Sequence, residues 1–314
     1  MKILGKEETD DGHSFVASLI VVAYHKPGHL QRLLQPLERH DDLELVVVNV
    51  EGDSEISEIA AGNNAIEVVA EYNGGYAYAV NLGARAASGA TIIYCNDDLT
   101  ISYESIKTLS EVIESGLAEV VVPLVVDIVG IPQRTILPLP TLHNFIKEWV
   151  LLPDWPITRL GFLNVQKWRL PTHYEKIVAA TGAVVAVNHD LFREVPLPEQ
   201  YFMYWEEVDW FWQLHLRDAA VGYLPEAVVV HYGGRDDLRP EKSALITRNA
   251  LRCLKATQGF MRASVAYPFV VLWALRLLAF DFTKSLLRNG RDELRLTSRR
   301  SALAAALISW RELR

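Results

Sequence analysis

Apolar, β-branched runs alternate with helix-patterned segments over the first 125 residues, the pattern of a parallel sheet with crossover helices. Residues 18–24 (SLIVVAY), 43–50 (LELVVVNV), 66–70 (IEVVA), 91–95 (TIIYC) and 118–126 (AEVVVPLVV) read as buried strands. Residues 29–39 place Leu30, Leu33, Leu34 and Leu37 on one helical face, with Pro36 as a blemish; helices are also expected from the Asn73–Gly75 turn to about residue 87 and over 103–115. Between residues 127 and 176 the periodicity breaks into sequence containing Pro132, Pro138, Pro140, Trp149, Pro153, Trp155, Pro156, Trp168 and Pro171. A lid or binding loop and a helical insertion around 142–151 both fit such an excursion. Regular pattern then resumes, with strands at 177–187 and 227–231, a helix over 206–217, and a mostly helical stretch from 235 onward.

Composition divides this chain. Of 314 residues half are hydrophobic and 22% charged, which excludes a disordered or collagen-like protein. The formal charge of −8 is unevenly spread: residues 1–234 carry 15 Lys/Arg against 32 Asp/Glu, and residues 235–314 carry 16 against 7. A basic, apolar end on an acidic body suits an anionic membrane surface and not nucleic acid. Residues 265–282 (VAYPFVVLWALRLLAFDF) are about as long as the shortest spanning helix, yet they contain Pro268, Arg276 and Asp281. The segment is therefore expected to lie in the membrane interface and not to cross it, the alternative being a homo-oligomer interface or core-packing helix. The polar, acidic start MKILGKEETDDGHS has no apolar h-region, so no secretory signal is expected. Cys95 and Cys253 form no CxxC pair, which argues against a disulfide scaffold or cysteine zinc site and for a reducing cytoplasm.

Ligands of open α/β sheets collect beyond the carboxyl ends of the parallel strands. Those ends are polar here: Ala23-Tyr24-His25, Asn49-Val50-Glu51-Gly52-Asp53 and Asn96-Asp97-Asp98. Adjacent carboxylates after a buried strand repel unless a cation or an array of donors compensates them, which suits Mg²⁺ or Mn²⁺ completed by substrate phosphates; a solvated turn is the plainer alternative. The turn Asn73-Gly74-Gly75-Tyr76, followed by Asn81 and Gly83, places glycines where backbone approaches something closely. Asn81 reaches either a ligand or a neighbouring loop. No GxGxxG or GxxxxGK[ST] occurs, which argues against a nicotinamide dehydrogenase or a P-loop nucleotidase.

Residues 201–212 (YFMYWEEVDWFW) pack seven aromatics around Glu206, Glu207 and Asp209. Aromatic walls raise the proton affinity of a carboxylate, as a general base requires; acidic residues opening a helix over an aromatic core are the alternative. His231 ends the strand AVVVH before paired glycines and fits a metal ligand through a neutral imidazole nitrogen, a setting the other eight histidines lack.

In order, SLIVVAYHKPGHLQRLL, VVVNVEG, NGGYAYAVNLGARAASG, IIYCNDD, ATGAVVAVNHDLF, YFMYWEEVDWFWQL and PEAVVVHYGG resemble the motifs of family 2 glycosyltransferases, in particular their bacterial rhamnosyltransferase-like branch. The resemblance covers roughly residues 16–255 and includes RNALRCLK. It implies an α/β fold of GT-A type: a Rossmann-like three-layer sandwich with a mostly parallel central sheet over 16–255. Residues 127–176 are then an insertion or acceptor loop, 1–15 a polar N-terminal segment, and 256–314 a helical tail.

The activity implied is metal-dependent, inverting transfer of a sugar, rhamnose in that branch, from a nucleoside diphosphate (a dTDP- or UDP-sugar) to an acceptor hydroxyl. Cell-wall or surface-polysaccharide assembly on a lipid-linked or glycan acceptor, at the cytoplasmic face of the plasma membrane, goes with it. By resemblance Asp98 and His231 hold Mn²⁺ or Mg²⁺, and Asp97 or Asn96 contacts ribose or phosphate. Ala23, Tyr24, Glu51 and Asn73 lie near base and ribose, with Gly75 and Asn81 also lining the donor site, and Glu207, preceded by Glu206, is the base. The family usually has aspartate at Glu207, and Val48-Asn49-Val50-Glu51 departs from its common Val-Asp-Asn/Asp turn. A non-catalytic sugar-nucleotide-binding or scaffold protein of the same fold is the competing reading. A sugar nucleotidyltransferase is disfavoured because AYHKPG, and not a glycine-rich phosphate loop, follows the first strand.

Overall fold

The computed structural model describes residues 2–4, 17–37, 40–150, 170–233, 239–287 and 293–313. Residues 151–169 of the expected insertion, with Pro153, Trp155, Pro156 and Trp168, lie outside the described residues, as do 5–16 and Gly234. The chain forms two compact units, Met1–Leu137 with Leu170–Phe202 and Gln213–Gly233, and Pro138–Arg169 with Met203–Trp212 and Gly234–Arg314.

The first unit is built on one mixed sheet. Its strands are β1 (Lys2–Leu4), β2 (Ala17–Ala23), β3 (Leu43–Asn49), β4 (Ile66–Val69), β5 (Thr91–Asn96), β6 (Leu99–Ile101), β7 (Val120–Val126), β8 (Glu175–Lys176), β9 (Val184–Asn188) and β10 (Val221–His231). Their order is β1-β4-β3-β2-β5-β9-β7-β10-β6, with β8 also on β10. Strands β4, β3, β2 and β5 are parallel neighbours, β9 runs antiparallel between β5 and β7, and β10 is parallel to β7. The carboxyl ends of β2, β3, β5, β7 and β10 therefore share one edge.

Alternation along β2 explains the layers. Ala17, Leu19, Val21 and Ala23 join the core beneath α1 (Pro27–Leu34), α2 (Ser54–Gly62) and α4 (Tyr103–Glu114), which supply Leu30, Leu33, Ile56, Ala60, Ile106 and Leu109. Ile20, on the other face, meets α3 (Tyr76–Ala86), and Tyr94 of β5 meets Phe192 of α6 (His189–Glu194). This is the three-layer α/β arrangement expected.

Several elements differ in extent from their sequence pattern. Pro36 ends α1 at Leu34, leaving a 3₁₀ turn over Gln35–Leu37. The strand expected over 177–187 is confined to β9, because residues 182–183 form a turn just before it and Thr181 N–H is taken by Thr135 O. β10 is longer than 227–231: Pro225 sits where the register against β7 shifts between Leu224 and Val228, a bulge that tolerates proline inside a strand. Helix α2 and strand β6 carried too little periodicity to be expected.

The second unit contains α5 (Leu142–Val150), α8 (Pro240–Gln258), α9 (Phe260–Leu287) and α10 (Glu293–Leu313). Phe145, Ala250, Leu251, Leu254, Ala263, Ala266, Val270 and Ala306 form its core. Helix α8 thus belongs with the tail, so this unit resumes at residue 234 and not at 256. Ala263, Ala266, Val270 and Ala274 line the inner stripe of α9, while Met261, Val265, Leu272 and Phe280 are exposed. By length and composition Phe260–Ser285 is long and apolar enough to cross a membrane, with mean hydropathy 1.8.

Candidate active site

The strand ends are tied together by short polar contacts. Val50 N–H donates to Ala23 O at 3.2 Å, joining β3 to β2, and the backbone of Tyr24 bonds the carboxylate of Asp97, joining β2 to β5. His25 takes a left-handed conformation (φ 53°) and sets its Nε2 3.0 Å from Glu51 Oε2 on the exposed rim. The loop carrying Glu51 is pinned from below: buried Asn49 accepts Asp53 N–H through Oδ1 and donates through Nδ2 to Asp53 O and Glu67 Oε1. Asp53 then caps α2 by accepting Glu55 N–H.

Asp97 and Asp98 follow β5 directly. Burial, then the charge of Asp98, pushes Asp97 up to about 6, although His29, the Tyr24 backbone and Lys26 pull the other way. His29 Nδ1 lies 3.8 Å from Asp97 Oδ1. Burial also raises Asp98, but His231 and His29 more than compensate, leaving it below the ordinary carboxylate range. His231 Nε2 stands 3.2 Å from Asp98 Oδ1, and Tyr232 N–H donates to Asp98 O at 2.8 Å.

Beside this pair is Gly233. A Cβ there would fall 2.5 Å from His231 Nε2 and 2.6 Å from Asp98 Oδ2, so the imidazole nitrogen and the carboxylate both face space that the side chain of any other residue would fill. Two adjacent ligand atoms on one octahedral Mg²⁺ or Mn²⁺, with bonds of ~2.1 Å, stand about 3 Å apart, and the observed 3.2 Å fits. Among the described residues no group of three or more His, Cys, Asp or Glu could hold a metal, so this pair would need substrate phosphates and water to complete the shell. Gly233→Ala is expected to weaken Mn²⁺ binding and activity by at least ~10-fold with the melting temperature little changed; calorimetric Mn²⁺ titration checks it.

In the second unit, Glu206 and Glu207 open α7 (Glu206–His215). Tyr204 and Trp205 before them are both left-handed, φ 68° and 78°, at a cost of roughly 1–3 kcal/mol each. Buried Asn249 of α8 holds this turn by donating to Met203 O and Tyr204 O, and Trp205 packs against Phe145. Burial, then the charge of Glu207, pushes Glu206 well above the ordinary range; burial raises Glu207 too, against backbone N–H groups at the helix start. One oxygen of each, Oε2, is buried without a hydrogen-bond partner.

Comparison with known proteins gives these features a context. The sequence model of Glycosyl transferase family 2 matches residues 18–163. These residues are a family 2 glycosyltransferase domain. The chain is 23% identical over 232 residues to the low-salt glycan biosynthesis hexosyltransferase Agl10 of Haloferax volcanii, covering 72% of this chain and 70% of that one. In fold it is similar to GalNAc-T7 solved with UDP, GalNAc and Mn²⁺ (TM-score 0.57, 17% identity, 78% of this chain), although it spans only 48% of that chain. It is similar too to the mannosyltransferase PcManGT of Pyrobaculum calidifontis solved with GDP-Man and Mn²⁺ (TM-score 0.52, 14% identity, 96% and 88% of the chains). The fold is of GT-A type, with a C-terminal helical region.

Within this glycosyltransferase the expected site residues separate into groups. Ala23, Tyr24, Glu51, Asn96, Asp97, Asp98 and His231 all lie at the shared strand edge, and Asn73 shapes the turn before α3 by accepting Gly75 N–H. Gly75 (φ 92°) starts α3, where a Cβ would strike the Phe202 carbonyl. Asn81 requires correction as a donor-binding residue: it is buried, donates both amide hydrogens to Leu197 O and Glu199 Oε1, and accepts Leu197 N–H, so it locks a loop. The reading that only His231 has a distinctive setting is also corrected, since His25 and His29 both reach carboxylates of the rim. Their position just past β2 was the available signal. Gln133, whose Oε1 lies 2.9 Å from His231 Nδ1, gave none.

Proposed function

We propose that this glycosyltransferase moves a hexosyl group, rhamnose in keeping with its motif series, from a dTDP- or UDP-sugar to an acceptor hydroxyl with inversion. The observation that carries the reading is the Asp98–His231 pair at the shared strand edge, opening onto the space kept by Gly233. Asp98 and His231 would hold Mn²⁺ or Mg²⁺, which when bound supplies positive charge to the diphosphate leaving group. Neighbours of this fold solved with UDP or GDP-Man and with Mn²⁺ support a nucleotide-sugar donor. Glu207, its proton affinity raised by burial, takes the proton of the attacking hydroxyl. Donor screening by thermal shift tests this. With Mn²⁺ present, a dTDP- or UDP-sugar at 100 times its Kd is expected to add about 2.7 kcal/mol of stability, and no response to any nucleotide sugar would contradict it.

The acceptor is proposed to be lipid-linked or a glycan presented at an anionic membrane, with the protein peripheral on its cytoplasmic face. Exposed Met261, Val265, Leu272, Phe280 and Phe282 of α9 lie within the basic stretch 235–314 and would enter the interface. The full chain is expected to cosediment with phosphatidylglycerol vesicles, and Met261→Asp with Phe280→Asp to lose this. Equal recovery of the double variant with vesicles would refute the anchor.

A further inference from the structure

Gln133 lies in the proline-rich stretch after β7, 98 positions before His231. A tight turn returns it to the sheet: Asp127 N–H donates to Ile131 O, Asp127 Oδ1 accepts Val129 and Ile131 N–H, and Gln133 N–H donates to Val125 O at 2.8 Å. Its backbone is thus fixed along the end of β7, next to the last residue of β10. From there the side chain makes two contacts with one residue, Nε2 to the His231 carbonyl at 3.4 Å and Oε1 to His231 Nδ1 at 2.9 Å.

These contacts determine a proton. A backbone carbonyl only accepts, so the amide end facing it must be the NH₂ group. The end facing the ring is then the amide oxygen, which also only accepts, and Nδ1 must carry the hydrogen. In the neutral ring Nε2 is left with its lone pair, and Nε2 is the atom 3.2 Å from Asp98.

We infer that Gln133 is a positioning residue: it fixes the tautomer and ring orientation of His231 so that Nε2 faces Asp98 as a free ligand for a divalent cation. The inference rests on the metal reading proposed above, and two separate readouts keep the failures apart. In ¹⁵N-histidine-labelled, metal-free protein at pH 8, the His231 resonances, assigned against His231→Asn, should show protonated Nδ1 and unprotonated Nε2. Gln133→Met, similar in size but without the amide, should mix the tautomers and weaken Mn²⁺ binding in the presence of UDP by ~10–100-fold. Gln133→Glu, which keeps the acceptor, should retain the Nδ1–H tautomer and most of the affinity. A wild-type ring protonated on Nε2 overturns the inference without any variant, and so does a Gln133→Met protein with unchanged tautomer and Mn²⁺ affinity. Equal Mn²⁺ affinity of wild type and Asp98→Asn would instead overturn the metal reading.

Discussion

Glu207→Gln is expected to lower kcat by about 10²–10⁴-fold while the donor KM changes little, because glutamine fills the same volume but accepts no proton. The pH dependence gives an independent check. Burial raises Glu207 above the ordinary value of 4.5, so the base is fully available only above that raised value, and kcat should climb with pH across a correspondingly displaced acid limb. Stability should move in the opposite direction. The folded state holds this proton more tightly than the unfolded chain, so stability is lost as pH rises from 4.5 through the folded value. Glu207→Gln should accordingly melt higher than wild type near neutrality, with the advantage gone below pH 4.5, where the wild-type carboxyl is protonated in both states. Unchanged turnover in a variant with this stability gain would leave Glu207 as a buried helix-start carboxylate and remove it from catalysis.

Asp98→Asn is expected to cost on the order of 10³-fold in kcat/KM and most of the Mn²⁺ affinity. The substitution keeps shape and removes the charge that, with His231, faces the space beside Gly233. Asp97→Asn should be milder, because the Asp97 carboxylate is tied to the Tyr24 backbone while Asp98 is the one that faces His231 and the space beside Gly233. The contrast between the neighbours is the informative result, read by Mn²⁺ titration and by initial rates at saturating donor. Equal losses from both would mean that the charge of the pair matters and not the position of Asp98.

Why the sequence revealed some of this and not the rest follows from range. The strands β2, β3 and β5 are continuous β-branched runs whose identity is local, and the polar residues just beyond them are adjacent in the chain. That Asp98 and His231 stand at or just past strand ends was legible for the same reason. Gln133 was not, because nothing local distinguishes it within a proline-rich stretch, and its role exists only through the Asp127 turn and a partner 98 positions away. Asn81 misled in the converse way: a polar residue after a glycine turn looks like a ligand contact, and only the distant Leu197 and Glu199 show where its hydrogens go. The extent of β10 was hidden by Pro225, which is compatible with a strand only at the bulge.

Asp98 and His231 are proposed to hold one divalent ion at the edge where the strands end. Crystals grown with UDP and Mn²⁺, measured near the manganese absorption edge, test it most directly. An anomalous peak is expected within bonding distance, ~2.2 Å, of both Asp98 and His231 Nε2. A peak bonded to neither residue, or UDP bound with no manganese beside them, would contradict it.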